Sequence, residues 1–217
     1  MSTRDLLIEI GTEELPPKSL LKLSNAFMEN IKNSIDNADL HYSEIKPFAS
    51  PRRLAVLITA LDEKQPDKEI ERRGPAISAA FGDDGCPSQA AIGFAKSCGV
   101  DVETLEKQET NKGAWLVFRN QQKGEATQSL ITNFVSSALD KLPIPKRMRW
   151  GNLDAQFVRP VHWVVLLFGD EVINAEILCV SSGRETRGHR FHHPENIFIT
   201  SPSEYEVLLE SEGKVIA

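Results

Sequence analysis

Two periods of apolar residues alternate along this chain, and the places where one gives way to the other mark out its elements. Leu6 to Ile10 reads as a short strand, and Pro16-Pro17 suits the first turn of a following helix, where a missing N–H costs nothing. That helix declares its face through Leu20, Leu23, Phe27, Ile31 and Ile35, spaced by threes and fours as a single stripe on a core requires. Ile45 to Phe48 and Leu54 to Leu61 are strand-like, and Pro51 between them favours a turn or a sheet edge, which puts Arg52 and Arg53 near a strand start. Ser88 is placed to cap a helix that carries Ala91, Ile92, Ala95 and Cys98 inward and stops at Gly99.

Residues 105–119 predict a hairpin turning at Asn111-Lys112-Gly113, with Trp115, Val117 and Arg119 on one face and Leu116 and Phe118 on the other. A second strong helix follows, its buried side marked by Leu130, Ile131, Phe134, Val135, Ala138, Leu139 and Leu142, and Pro143 and Pro145 end it. Val161 to Phe168 is almost continuously apolar, as in a central strand covered on both faces, and it returns through Gly169-Asp170 into Val172 to Leu178. This order predicts an α+β fold: a mixed, mainly antiparallel sheet packed with two or three amphipathic helices. The one internal boundary the composition offers lies in 62–84, a charged and then small-residue stretch, so two subdomains are expected to meet there. The chain closes at Ala217 on an apolar pattern without a polar tail, which reads as a cut end.

Charge and cysteine content narrow the function classes. A net charge of -6 excludes a uniformly basic nucleic-acid coat, so any RNA contact must use local patches. Cys86, Cys98 and Cys179 form no CxxC pair and no even framework, which suits a reducing cytosol. The run Leu6-Leu7-Ile8 is too short for a signal segment or a membrane span, so a cytoplasmic protein without membrane contact is expected.

Phosphate-cradling loops of the GxxxxGKS or GxGxxG type are absent, as are GxSxG, HExxH and the EF-hand loop. Gly82-Asp83-Asp84-Gly85 carries two carboxylates that would repel phosphate and reads as a plain turn. His189, His192 and His193, with Cys179 upstream, are the best metal candidates, but on an extended segment His192 points away from the other two. Solvated or phosphate-facing histidines are the favoured reading, and no metal site is assigned. His162, inside the apolar strand, is expected to be a hydrogen-bonded core residue. Glu9, Glu13 and Glu14 could serve acid–base work, as in a small hydrolase, yet Glu13 and Glu14 ahead of a helix are accounted for by its macrodipole. No catalytic residue is assigned.

The basic residues cluster. Lys46, Arg52 and Arg53 form one group, Arg72 and Arg73 a second, Lys146, Arg147, Arg149 and Arg159 a third, and Arg184, Arg187 and Arg190 a fourth. Between Lys141 and Trp163 the single acid is Asp154, and such a patch can steer and hold an RNA backbone. Trp150, Phe157 and Phe191 interleave with these cations, as stacking on unpaired bases requires. Pairing with local carboxylates or with a protein partner accounts for the same residue types equally well.

The segment Leu6-Leu7-Ile8-Glu9-Ile10-Gly11-Thr12-Glu13-Glu14-Leu15-Pro16-Pro17-Lys18 resembles the opening signature of the glycyl-tRNA synthetase β-subunit family. The similarity continues in order through Ser50-Pro51-Arg52-Arg53-Leu54-Ala55, Arg73-Gly74-Pro75-Ala76, Lys112-Gly113, Leu142-Pro143-Ile144-Pro145-Lys146, Met148-Arg149-Trp150-Gly151, Phe157-Val158-Arg159-Pro160-Val161-His162 and Arg187-Gly188-His189-Arg190-Phe191. The resemblance implies the amino-terminal third or so of a longer subunit, without the helical and anticodon-binding domains further along. It also implies an α subunit that carries the catalytic site with ATP and Mg, so no cofactor is expected in this chain. The implied partners are that α subunit, tRNA(Gly) and a second αβ pair in an α2β2 assembly. Arg52, Arg53, Lys146, Arg147, Arg149, Arg159, Arg187 and Arg190 are then the expected contacts to tRNA or to the α subunit. A pure scaffold without RNA contact is the alternative.

Overall fold

The computed structural model describes residues 2–82, 86–110 and 113–217. Along the chain run β1 (Thr3–Thr12), α1 (Pro17–Asn37), β2 (Glu44–Ser50), β3 (Arg53–Asp62), β4 (Lys68–Ala76), α2 (Ile77–Ala80), α3 (Gln89–Cys98), β5 (Glu106–Thr110) and β6 (Gly113–Gln122). There follow α4 (Thr127–Asp140), β7 (Met148–Arg149), β8 (Gln156–Phe157), β9 (Val161–Phe168), β10 (Glu171–Val172), β11 (Glu176–Ile177), β12 (Val180–Gly183), β13 (Glu185–Arg187), β14 (Asn196–Phe198) and α5 (Tyr205–Ser211). The fold is α+β with mainly antiparallel sheets, and the chain divides into two compact units. One comprises Met1–Gln65 with Glu125–Ala217, and the other, Pro66–Gly124, is inserted between those segments.

The first unit is organised on a sheet of strand order β11-β12-β9-β1-β3-β2, antiparallel except where β12 runs parallel to β9. Alternation along the central strands sends Leu6, Ile8, Ile10, Leu54, Val56, Val164 and Leu166 to one face. There they meet Leu23, Phe27, Ile31 and Ile35 of α1 and Ile131, Val135, Ala138 and Leu139 of α4, so both helical stripes read from the sequence are the ones buried. The opposite face carries Leu7, Ala55, Trp163, Val165 and Leu167, covered by Ile199 and by Tyr205 and Leu209 of α5. Phe48 from β2 meets Tyr205 edge-on at 5.4 Å. A strand buried on both faces explains why β1 and β9 read as nearly unbroken apolar runs.

The return strand expected over Val172 to Leu178 is shorter than that. Only β10 pairs with β9, at Phe168 and Leu167, because β12 occupies the same edge of β9 at Val164 and Val165. The chain turns instead at Leu178 and Cys179, both at positive φ, to form the β11–β12 hairpin.

The inserted unit is the antiparallel sheet β4-β6-β5 with α2 and α3 packed through Ala80, Ala91, Ala95 and Leu116. Ser88 caps α3, its Oγ accepting the Ala91 N–H at 3.3 Å. Asn111 and Lys112 of the expected hairpin turn, and Asp83, Asp84 and Gly85 of the acidic one, lie outside the described residues. Arg72 and Arg73 stay local here: Arg72 donates to the Ser97 carbonyl at 3.0 Å and Arg73 lies 3.9 Å over the Trp115 ring.

Candidate functional site

The alternation that sends Leu7 to the α5 face also sends Glu9 there, into the interior. Glu9 stands opposite Ala55 on one neighbouring strand and Val165 on the other, so its diagonal neighbours are Arg53 and Trp163. Both turn toward it. Trp163 Nε1 donates to Glu9 Oε1, Thr186 Oγ1 donates to the same oxygen at 2.6 Å, and Arg53 Nη1 lies 3.5 Å from Glu9 Oε2. Gly11 makes room for this: it faces both Arg53 and Trp163 across the strands, and a Cβ there would stand 1.9 Å from the indole Cε2.

Arg53 is 2% exposed and Glu9 wholly buried. The Arg53 guanidinium also donates to Ser50 Oγ at 3.1 Å, to Thr186 Oγ1 at 3.3 Å and to the Arg187 carbonyl, tying the β2–β3 hairpin to β13. Burial, the largest single influence, acts to lower its pKa, but the charge of Glu9 and the neighbouring Tyr205 together outweigh it and leave the pKa raised. The Tyr205 hydroxyl is buried beside this pair without a well-formed hydrogen bond, and burial first, then the Glu9 charge, holds its pKa well above the ordinary phenol value. Arg53 is therefore an internal brace, almost closed off from solvent at the wall of a cleft.

Its neighbour Arg52 lines the same cleft, of about 460 Å3, on this unit. The β2–β3 turn and the start of β3 contribute Pro51, Arg52 and Arg53, the loop after β13 contributes Gly188, His189, Arg190 and Phe191, the segment after α5 contributes Lys214, and Glu14 supplies the one carboxylate side chain. The guanidinium carbons of Arg52 and Arg187 lie 5.7 and 5.2 Å from the centre of the Trp163 ring, so the indole braced by Glu9 is the surface on which both arginines rest.

The loop is pinned by close backbone approach. His189 N–H donates to the Gly213 carbonyl at 2.7 Å, and a Cβ on Gly188 would stand 2.8 Å from that same oxygen. His189 Nδ1 accepts the N–H groups of Phe191 and His192 at 3.3 Å each, which places the imidazole proton on Nε2. Phe191 is 83% exposed. Among the described residues no group of three or more His, Cys, Asp or Glu side chains is placed to hold a metal ion.

The third basic cluster is arranged differently from the single patch expected of it. Arg147 donates to the Asp140 carbonyl at 2.8 Å and caps the C-terminus of α4. Arg149 pairs with Asp154. Lys146 and Arg159 remain at the rim of a groove of about 420 Å3 lined mainly by Pro16, Leu23, Pro143, Ile144, Met148 and Val158. Arg159 also donates to the Glu14 carbonyl at 3.0 Å, which sets this groove beside the cleft.

Of the three aromatics read as stacking candidates, Phe157 is fully buried and Trp150 packs on the core, leaving Phe191. His162 is an exposed residue and not a core one: its Nε2 lies 2.9 Å from Glu13 Oε1. Lys214, Thr186 and Tyr205 had gone unremarked in the sequence. A charged residue in the middle of a strand covered on both faces was the available signal, since buried Glu9 demands a cation.

These features define a sheet-based α+β module whose concentrated chemistry is a cationic cleft braced by a buried ion pair. Residues 6–217 match the family model described as glycyl-tRNA synthetase beta subunit. The chain belongs to that family. It is 52% identical over 217 residues to the glycine–tRNA ligase beta subunit of Hahella chejuensis, with all of this chain and 31% of that protein covered. Identity is 51% to the protein of the same name from Escherichia coli, with 100% of this chain and 32% of the relative covered. For that of Marinobacter nauticus the identity is 50%, with 100% and 31% covered. The chain thus spans about a third of the length of these relatives.

Proposed function

We propose that this region of a glycyl-tRNA synthetase β subunit holds tRNA(Gly) by its sugar-phosphate backbone at the cleft of Arg52, Arg190 and Lys214. In this reading it serves the ATP-dependent joining of glycine to tRNA in the cytoplasm, the catalytic site with ATP and Mg belonging to an α subunit in an α2β2 assembly. The observation that carries it is the convergence of Arg52, Arg190 and Lys214 from three separate parts of the chain on one cleft, in a chain of net charge -6. Such a gathering of like charge is costly unless an anion meets it.

The test uses full-length β with its α subunit. Arg52→Ala and Arg190→Ala each raise KM for tRNA and flatten the salt dependence of binding by about one unit for each phosphate no longer held. Unchanged KM and slope in both variants would refute the reading.

A second reading, assembly with the α subunit, is favoured by the neighbouring groove, where Met148 is 38% exposed among prolines and aliphatic side chains. Met148→Asp loosens co-purification of α with β if the groove is that interface. An unchanged αβ yield removes it.

A further inference from the structure

We propose that the cleft takes an unpaired nucleotide of a single-stranded RNA segment, its base stacked on Phe191 and its flanking phosphates held by Arg52 and Arg190. The inference rests on the cleft being the RNA-holding site and goes beyond it by naming the form of RNA. A surface that only follows phosphates needs cations and hydrogen-bond donors. It has no use for a phenyl ring 83% exposed between Arg190 and His192. Stacking on that ring requires a base face free of its neighbours, which unpaired strands offer and an intact duplex does not.

The loop is built to present this ring. Its backbone is fastened through His189 N–H to the Gly213 carbonyl and through His193 N–H to the His189 carbonyl at 2.8 Å, and the Nδ1 of His189 gathers the N–H groups of Phe191 and His192. The His189 ring centre lies 6.2 Å from that of Phe191 and tilted by 52°, so its Nε2–H is a donor at the margin of a base lying on the phenyl face. Arg52 adds a second observation: its Nε–H is buried at the cleft wall with no acceptor among the described residues. Platform, cations and donor all come from a pinned loop and a tight hairpin, so little ordering is needed on binding.

The experiment measures affinity of the full-length αβ complex for a short single-stranded RNA and for a blunt-ended RNA duplex by fluorescence anisotropy, across a salt series. Phe191→Ala lowers affinity for the single strand by roughly fivefold to 150-fold, the range that loss of one base–aromatic stack gives. It leaves the salt slope and the duplex affinity unchanged, and Phe191→Trp keeps tight binding. Arg190→Ala weakens both RNAs and flattens the slope. If Phe191→Ala binds the single strand as well as wild type does while Arg190→Ala weakens it, stacking is overturned and the phosphate-holding cleft stands. If neither variant changes RNA binding, both readings fall. If Phe191→Ala releases the α subunit and leaves RNA binding intact, the ring is a protein contact and the proposal is overturned.

Discussion

Neutralising Glu9 as Glu9→Gln leaves the Arg53 guanidinium charged, 2% exposed and without its counterion. At the observed 3.5 Å separation and an effective dielectric constant near 20, the direct attraction is about 5 kcal/mol. Desolvating the two ions costs several kcal/mol each, so the intact pair contributes little net stability. Losing one partner alone should nonetheless cost about 3–5 kcal/mol, because the other charge stays buried. Glu9→Gln is a clean probe, since the amide oxygen still accepts from Trp163 and Thr186. Arg53→Met is its counterpart, and the double variant removes both charges while leaving that acceptor in place. Hydrogen exchange followed by mass spectrometry in the full-length subunit reads the effect on the central strands around Ile8, Val56 and Leu166. Each single variant should speed the slowest amides by about two to four powers of ten. The double variant should fall short of the sum of the singles by at least ~2 kcal/mol, as two groups in direct contact do. Additivity to within ~0.5 kcal/mol would refute the reasoning and mean that each side chain contributes through its own packing.

Gly11→Ala drives a methyl group to 1.9 Å from the Trp163 ring, so the indole must leave its place; a loss of at least 1–3 kcal/mol, roughly, is expected, with a red-shifted Trp163 emission in a background lacking Trp115 and Trp150. An unshifted spectrum would show that the ring does not lie against Gly11. Tyr205 has a folded-state pKa above its unfolded value near 10, so the native state keeps a proton that the unfolded chain loses, and its contribution is whole below about pH 10 and lost as pH rises above that. The stability difference between wild type and Tyr205→Phe should therefore shrink by up to ~1.4 kcal/mol per pH unit above that point, and parallel pH curves would refute it. Arg147→Ala should lower the melting temperature through the loss of about 0.3–1 kcal/mol at the α4 terminus, whereas Arg149→Ala, which breaks an exposed pair with Asp154 and a long 3.4 Å hydrogen bond to the Leu153 carbonyl, should stay within ~0.5 kcal/mol of wild type. Equal melting shifts would show that Arg147 is no cap.

Helix stripes and central strands were legible because each is a local period: Leu23, Phe27, Ile31 and Ile35 announce their common face wherever the helix packs. The inserted unit was less so. The stretch 62–84 contains the point where the chain leaves the first unit, after Gln65, but the return at Glu125 carries no proline-rich or low-complexity mark. Contacts made at long range were illegible. Glu9 and Arg53 meet across β1 and β3, and Thr186 joins them from far along the chain. Nothing in a single sequence pairs those positions, although a carboxylate inside a doubly covered strand states that some cation must arrive.

The consecutive pair Arg52-Arg53 shows why residue type alone could not divide the basic clusters into buried brace and cleft wall. Arg53 enters β3 on the face that α5 covers, and alternation commits its guanidinium to Glu9, Ser50 and Thr186. Arg52, one residue earlier in the turn, is free of that commitment and rests above Trp163 at the wall of the cleft. Because Trp163 is itself held by Glu9, the buried carboxylate acts on the cleft through the indole: it fixes the ring on which Arg52 and Arg187 lie. A substitution at Glu9 should therefore weaken RNA binding as well as the fold, and the two effects separate in Trp163→Phe, which keeps a ring and discards the hydrogen bond to Glu9. If Trp163→Phe holds RNA as tightly as wild type does, orientation of the arginines by the indole is excluded and Glu9 supports the fold alone.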